Sequence, residues 1–396
     1  MNIIEFFNDA AVELPIKWES GSFEELISKV LQNYLKKVSA LEEEPLNIFY
    51  DIDSSITKKI KRNIDSIEYL CNSIKNIISI HSCDEKSAHS EFDSVISRMV
   101  NSIQMLNSDN SLDKQTLLST DPLYLYRMRK NKKGRVEPFN IKEIFHIPFN
   151  EAKRIGDKGR YSFLEEPCLY LGRSIYLCWE ELGRPAVTEF QVSRFEIMPN
   201  SEANILNFGY RPALLAAMIY KYKNDIIKDF TDFVLAGKLS VPIAIWWPLI
   251  AACSIATSKD KENRDKIEEY IIPKMLLRWV KKNNNGYFGI RYFSTQINNY
   301  LKSPNLYQNF VFPAEERDPD DDLCKRLKKI FTITEPVDYE TAKKIIETAN
   351  EPKTDYIKKP KYHEEEIDLN GKKVRYGDSP FGLMEIALMN RIPKSL

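Results

Sequence analysis

Arg160-Tyr-Ser-Phe-Leu-Glu-Glu-Pro-Cys-Leu-Tyr-Leu-Gly-Arg-Ser-Ile-Tyr-Leu-Cys-Trp-Glu-Glu-Leu-Gly-Arg-Pro185 is the segment around which this chain is organised. Pro167 fixes its own φ and disfavours helix before it, so Glu165-Glu166-Pro167 reads as a turn. Cys168-Leu169-Tyr170-Leu171 is a short apolar run, consistent with a buried strand, and Gly172 ends it. Ser174 suits the N-cap of a helix running through Trp179, Glu180, Glu181 and Leu182, and Gly183 and Pro185 stop that helix. One strand and one short helix thus carry Arg160, Ser162, Tyr170 and a glutamate towards one place. That mixture can hold a phosphate, stack on a flat ring and stabilise a sugar cation.

Outward from this segment, Leu123 to Met128 and Phe190 to Ile197 read as strands. So does Tyr287 to Tyr292, after a turn at Asn283-Asn-Asn-Gly286. Lys130-Asn-Lys-Lys-Gly-Arg135 is a charged turn. His146 tempts as a general base, but the sequence supplies it no partner, so a structural histidine beside Pro148 is the reading. Ala213 to Leu239 and Ile243 to Val280 read as helical. Val241 to Ala256 is the most apolar run. It contains Pro242 and Pro248 and is shorter than the ~20 residues of a spanning helix, so it reads as a buried helix with a proline-containing start.

Before residue 115 the pattern is helical. Phe23 to Leu41, Ser54 to Ile80 and Phe92 to Leu106 each carry an apolar stripe at helical spacing, with no catalytic motif. A packing or dimerisation region is the plain reading, and a regulatory module the sharper one. Ser108 to Asp113 reads as a linker. Beyond Pro313 the acidic run Glu315 to Asp322 reads as a solvated hinge or loop. A Lys-rich stretch near Lys358 and an Asn370-Gly371 hairpin signal follow.

At 396 residues the chain can bury a sizeable core in two or three domains. Its 57 basic and 57 acidic residues cancel, so no general pull towards nucleic acid or an anionic membrane is expected. Six scattered cysteines without a Cys-x-x-Cys pair suit a reduced, cytoplasmic setting. His81, Cys83 and His89 lie close together, but no fourth ligand follows at usual spacing, so no metal is expected. Glu5 and Asp9 leave no basic region for a signal peptide. No Rossmann fingerprint, Walker A loop, His-Glu-x-x-His helix or Gly-x-Ser-x-Gly elbow is present.

Three blocks in order resemble the RES family. They are Leu123-Tyr-Leu-Tyr-Arg127; then Arg160-Tyr-Ser162 with Pro167-Cys-Leu-Tyr170-Leu-Gly-Arg-Ser174 and the Glu-bearing helix; then Gly289-Ile-Arg-Tyr-Phe-Ser294. The blocks span Leu123 to Ser294, under half the chain. Members of that family are bacterial toxins with a fold similar to ADP-ribosyltransferases, named for an Arg, a Glu and a Ser. The resemblance implies an α+β fold: an ADP-ribosyltransferase-like mixed β core, a helical N-terminal domain and a helical insertion. The expected boundaries are 1–115 for the helical domain, 116–316 for the RES-like catalytic domain with its insertion at 205–282, and 317–396 for a C-terminal extension.

The resemblance also implies nicotinamide adenine dinucleotide (NAD), bound as a substrate. Cleaving the nicotinamide–ribose bond builds positive charge on the sugar, as in glycoside hydrolysis. A site for it needs a carboxylate near the ribose, cationic donors on the pyrophosphate, an aromatic wall and limited water. Carried onto the matching blocks, Arg127 and Arg160 would hold phosphate or ribose, Tyr170 would stack, Glu181 would stabilise the charge and Ser294 would be the late polar contact. Ser162 stands where the family often has Asn. Adjacent helical residues point about 100° apart, so one of Glu180 and Glu181 faces the site, and the family pattern favours Glu181. Alternatively, Arg127 and Glu181 form a fold-stabilising ion pair. With water or phosphate as acceptor the enzyme is a glycohydrolase or phosphorylase, in a toxin–antitoxin or anti-phage setting. With a protein or nucleic acid as acceptor it is an ADP-ribosyltransferase. A non-catalytic partner-binding protein is the third class. A cognate antitoxin or regulatory protein and a homo-oligomer are possible partners, and no membrane is expected.

Overall fold

The computed structural model describes residues 1–42, 51–104, 123–131, 137–155, 159–163, 166–198, 204–223, 230–257, 267–282, 287–297, 304–349, 359–360 and 362–396. The expected linker at Ser108 to Asp113 and the turn at Asn283 to Gly286 lie outside them. So do most of the turn around Gly134 and the Lys-rich stretch near Lys358. The chain is α+β and divides into two compact units, Met1–Leu112 with Tyr210–Lys282, and Asp113–Gly209 with Asn283–Leu396.

The first unit is helical. Helix Phe23–Ser39 begins with a capping box, in which the Ser22 hydroxyl accepts from Glu25 N and the Glu25 carboxylate accepts from Ser22 N. It buries Phe23, Ile27, Leu31, Tyr34 and Val38 along one stripe. Helices Ile64–His81 and Glu85–Gln104 pack against each other, and the former also against Phe230–Cys253. Helix Phe230–Cys253 holds Pro242 and Pro248 in its interior rather than at its start. Each proline removes a backbone donor, and packing on all sides compensates. Tyr34 stacks on Trp247 at 3.9 Å and its hydroxyl donates to Ala244 O at 2.6 Å. Leu235–Cys253 is long and apolar enough to cross a membrane by length and composition, but 78% of that window is buried inside the protein. A two-stranded parallel pair completes the unit, β1 (Ile16–Trp18) with β6 (Ile255–Thr257).

The second unit is built on one mixed sheet of eight strands. They are β2 (Tyr124–Lys130), β3 (Cys168–Gly172), β4 (Phe190–Ile197), β5 (Asn204–Phe208), β7 (Tyr287–Phe293), β8 (Gln308–Pro313), β9 (Phe331–Ile333) and β12 (Lys394–Ser395). Their spatial order is β12-β9-β4-β2-β3-β8-β7-β5. The segments predicted as strands around Leu123, Cys168, Phe190 and Gly289 all lie in it. Every neighbouring pair is antiparallel except β5 with β7. Leu125, Leu169, Leu171, Phe195, Phe310, Phe312, Phe331 and Ile333 form a buried core against the sheet. Within it Phe312 meets Phe288 at 5.2 Å and Phe331 at 5.0 Å.

The expected domain boundaries need two corrections. Residues 204–208, placed at the start of the insertion, are strand β5, and residues 210–282 join the N-terminal helices in one unit. A parallel pair cannot be closed by a tight turn, and this helical segment is the long crossover that the β5–β7 pairing requires. Residues 317–396 are not an appendage either. Strand β9 pairs with β4, β12 pairs with β9, and a hairpin of β10 (Glu366–Leu369) and β11 (Lys372–Arg375) turns at Asn370-Gly371. Both turn residues take positive φ, at 55° and 81°, as a type I′ hairpin needs.

The acidic run is a tied loop rather than a solvated hinge. Lys328 Nζ holds Asp318 at 2.5 Å and Asp321 at 3.1 Å, and Arg326 pairs with Glu315 at 2.8 Å. His146 is buried there: its Nδ1 donates to Ile147 O at 2.7 Å and its Nε2 accepts from Cys324 N at 2.7 Å. Both ring nitrogens are spent, and burial pushes its pKa down to about 4.

The C-terminal helix Pro380–Met389 is anchored by a buried carboxylate. Glu385 is fully buried and accepts from the hydroxyls of Tyr362 and Tyr376. Burial pushes its pKa up to about 7 against the lowering effect of those donors. Arg194 ties the end of the same helix to β4 by donating to Met389 O at 3.2 Å and Arg391 O at 2.8 Å.

Two expectations follow. A chain ending after residue 316 loses β9, β12 and this helix, and should be insoluble or lack the near-ultraviolet circular dichroism of packed aromatics; a soluble, native-like product would contradict the boundary. Folded Glu385 binds its proton more tightly than the unfolded chain does, so its contribution is full below about pH 4.5 and is lost as pH rises towards about 7. The stability of wild type relative to Glu385→Gln should therefore fall by about 1 to 3 kcal/mol over that window in urea unfolding. Parallel pH curves for the two proteins would contradict this.

Candidate functional site

Helix Ile175–Glu181 fixes the glutamate. Ser174 caps it, accepting from Leu177 N at 3.1 Å, and its hydroxyl donates to Leu306 O at 2.8 Å, pinning the helix start just before β8. Gly172 lets the helix lie close on the strand, since a Cβ there would meet Cys178 Sγ at 2.7 Å. At the other end, Arg184 N bonds Trp179 O at 3.0 Å and Gly183 N bonds Glu180 O at 3.1 Å. With Gly183 at φ 76°, this is a Schellman motif. Both ends being fixed, the directions of Glu180 and Glu181 are fixed too.

The two acids part company. Glu180 Oε2 pairs with Arg184 Nε at 2.9 Å. Glu181 Oε1 accepts from Ser294 Oγ at 2.9 Å and from Asn309 Nδ2 at 2.9 Å. Among the described residues both bonds fall on Oε1 and none on Oε2, and Glu181 is exposed. The ion pair between Arg127 and Glu181 is not formed.

Strands β3, β8 and β7 present one face beside this carboxylate. Tyr170 is in register with Val311, and Val311 with Ile290; Gly172 is in register with Asn309, and Asn309 with Tyr292. Leu169 and Leu171, at the alternate positions of β3, enter the core on the opposite face. Tyr161 packs its ring on Tyr292 at 4.7 Å. Ser162 Oγ lies 3.0 Å from the Tyr170 hydroxyl, and Arg160 Nη2 donates to Thr295 Oγ1 at 3.3 Å. Burial raises the Tyr170 pKa well above the ordinary tyrosine value, so the hydroxyl stays a neutral hydrogen-bonding group.

Arg127 stands where the sheet divides. Strand β2 pairs with β4 over seven residues, from Tyr124 to Lys130, but with β3 only at Tyr126–Gly172. Beyond that bridge the Arg127 Nη1 donates to Tyr170 O at 2.8 Å, doing the work of the missing ladder. Its Nε is buried without a hydrogen-bond partner, and no carboxylate pairs with it among the described residues. Burial and the neighbouring Arg129 lower its pKa, yet a guanidinium remains charged at neutral pH.

Of the residues singled out from sequence, Glu181 and Ser294 touch directly, and Arg160 reaches Thr295 beside them. Tyr170 and Ser162 touch each other on the neighbouring strand. Arg127 reaches this group only through the Tyr170 carbonyl. Asn309, Thr295 and Tyr292 were not foreseen. The signal for Asn309 was available: it is an amide inside the buried strand Gln308-Asn-Phe-Val-Phe-Pro313.

No protein-family model and no solved structure matches the chain. It is similar to a protein of Bacillus subtilis (strain 168) named "Putative toxin YopC", with 30% identity over 354 residues that cover 86% of this chain and 71% of that protein. By this identity and coverage, the chain belongs to the family of that Bacillus subtilis protein.

Proposed function

We propose that this protein is an NAD-consuming, toxin-like enzyme of the RES type, with an ADP-ribosyltransferase-like core. The observation that carries the reading is a pair of complementary charges left open beside one strand. Arg127 is a buried cation with no carboxylate partner among the described residues, and Glu181 is an exposed carboxylate with one oxygen unspent. A buried charge without compensation is costly, so an anionic ligand group is the natural complement for Arg127. A pyrophosphate supplies that anion, and Arg is suited to it by its planar fork. A ribosyl cation developing as nicotinamide leaves would be stabilised by the Glu181 carboxylate. The C–N bond breaks with its electron pair going to nicotinamide, which departs neutral. Water or phosphate then attacks the sugar carbon and loses a proton.

The toxin-like role is supported by the name of the Bacillus subtilis relative. A toxin that destroys NAD in the cytoplasm needs restraint, so an antitoxin or a regulatory protein is part of the proposal. The helical unit, with no catalytic motif, is a candidate surface for it.

Purified full-length protein incubated with NAD should release free nicotinamide. Glu181→Gln should lower that rate by ~10²–10³, the usual loss for one preorganised electrostatic contact. Glu180→Gln should change it little. NAD that survives intact with wild type, under conditions where the protein is folded, overturns the reading. Label appearing on a protein or nucleic acid assigns an ADP-ribosyltransferase, and phosphate dependence assigns a phosphorylase.

A further inference from the structure

Asn309 is 7% exposed, in a strand whose other inward positions are aromatic or aliphatic. An amide there is costly unless its polar atoms are bonded. Its backbone is held on both sides, by Gly172 of β3 and Tyr292 of β7, so its position is rigid. Gly172 has no side chain, and the amide of its cross-strand neighbour reaches over it to Glu181 at 2.9 Å. A carboxylate only accepts, so the NH2 group must face Glu181. Ser294 is oriented in the same sense: its Oγ accepts from Gln296 N at 3.3 Å and donates to Glu181. Two fixed donors thus converge on Oε1 of a side chain that is otherwise exposed.

We infer that Asn309 is a positioning residue for Glu181, holding Oε1 so that Oε2 points outward to the reacting sugar. The inference rests on the NAD reading above. A freely rotating carboxylate at the end of a helix would lose side-chain entropy at each turnover; two donors on one oxygen remove that rotation in advance. The interaction is made before substrate arrives, so its loss falls on the chemical step rather than on binding.

The test is Asn309→Asp, which keeps the shape and replaces the donor by a second carboxylate facing Glu181. Its kcat for NAD should fall on the order of 10- to 100-fold, the scale of one hydrogen bond to a charged group. KM should stay within about twofold, since ground-state binding is untouched. Asn309→Ala, which adds no charge, should show the same division between kcat and KM. A rise in KM alone, or unchanged kcat in both variants, overturns the inference while leaving the NAD reading intact. If wild type does not consume NAD, the crystal structure of Asn309→Asp decides: Glu181 swung away from Ser294 supports the positioning role, and an unmoved Glu181 overturns it.

Discussion

A cation holds the centre of the sheet together where its backbone does not. Strands β2 and β3 share the single bridge Tyr126–Gly172, and the Arg127 guanidinium spans the opening beyond it to the Tyr170 carbonyl. The four strands on one side and the four on the other are each continuously paired. The joint between them therefore depends on a side chain, and that side chain keeps a buried donor in reserve. A guanidinium can serve both ends because its five donors radiate in one plane.

The rest of the unit is arranged so that this joint can stay open. The aromatic core of Phe288, Phe310, Phe312 and Phe331 makes one face of the sheet self-sufficient. On β3, β8 and β7 the opposite face is left to Tyr170, Asn309 and Tyr292. The buried Glu385 and Arg194 fasten the last helix to the strands on the far side of the joint. The long helical crossover between β5 and β7 supplies the return path of a parallel pair and folds with the N-terminal helices. Neither addition brings a charged group to Glu181.

Local signals were legible in the sequence and remote pairings were not. The turn, strand, cap and stop between Pro167 and Pro185 are written in residues a few positions apart, and Ser174 and Gly183 take the positions their chemistry suits. The membership of β9 and β12 in the sheet was not legible, because strands of three and two residues have no period to read. Pro242 and Pro248 pointed to a helix start, and burial on all sides overrode them. Glu180 and Glu181 could be told apart only once Arg184 was seen to fold back onto the first. Asn309 sits 128 residues from Glu181 in sequence, so no local pattern could join them.

The most direct measurement is a crystal structure of the full chain with ADP-ribose, the product that keeps both the pyrophosphate and the reacting ribose. The account predicts the pyrophosphate within hydrogen-bond reach of Arg127 or Arg160, and the ribose against Glu181 on the face of Tyr170 and Asn309. ADP-ribose bound elsewhere on the protein, with Arg127 and Glu181 untouched, would contradict it.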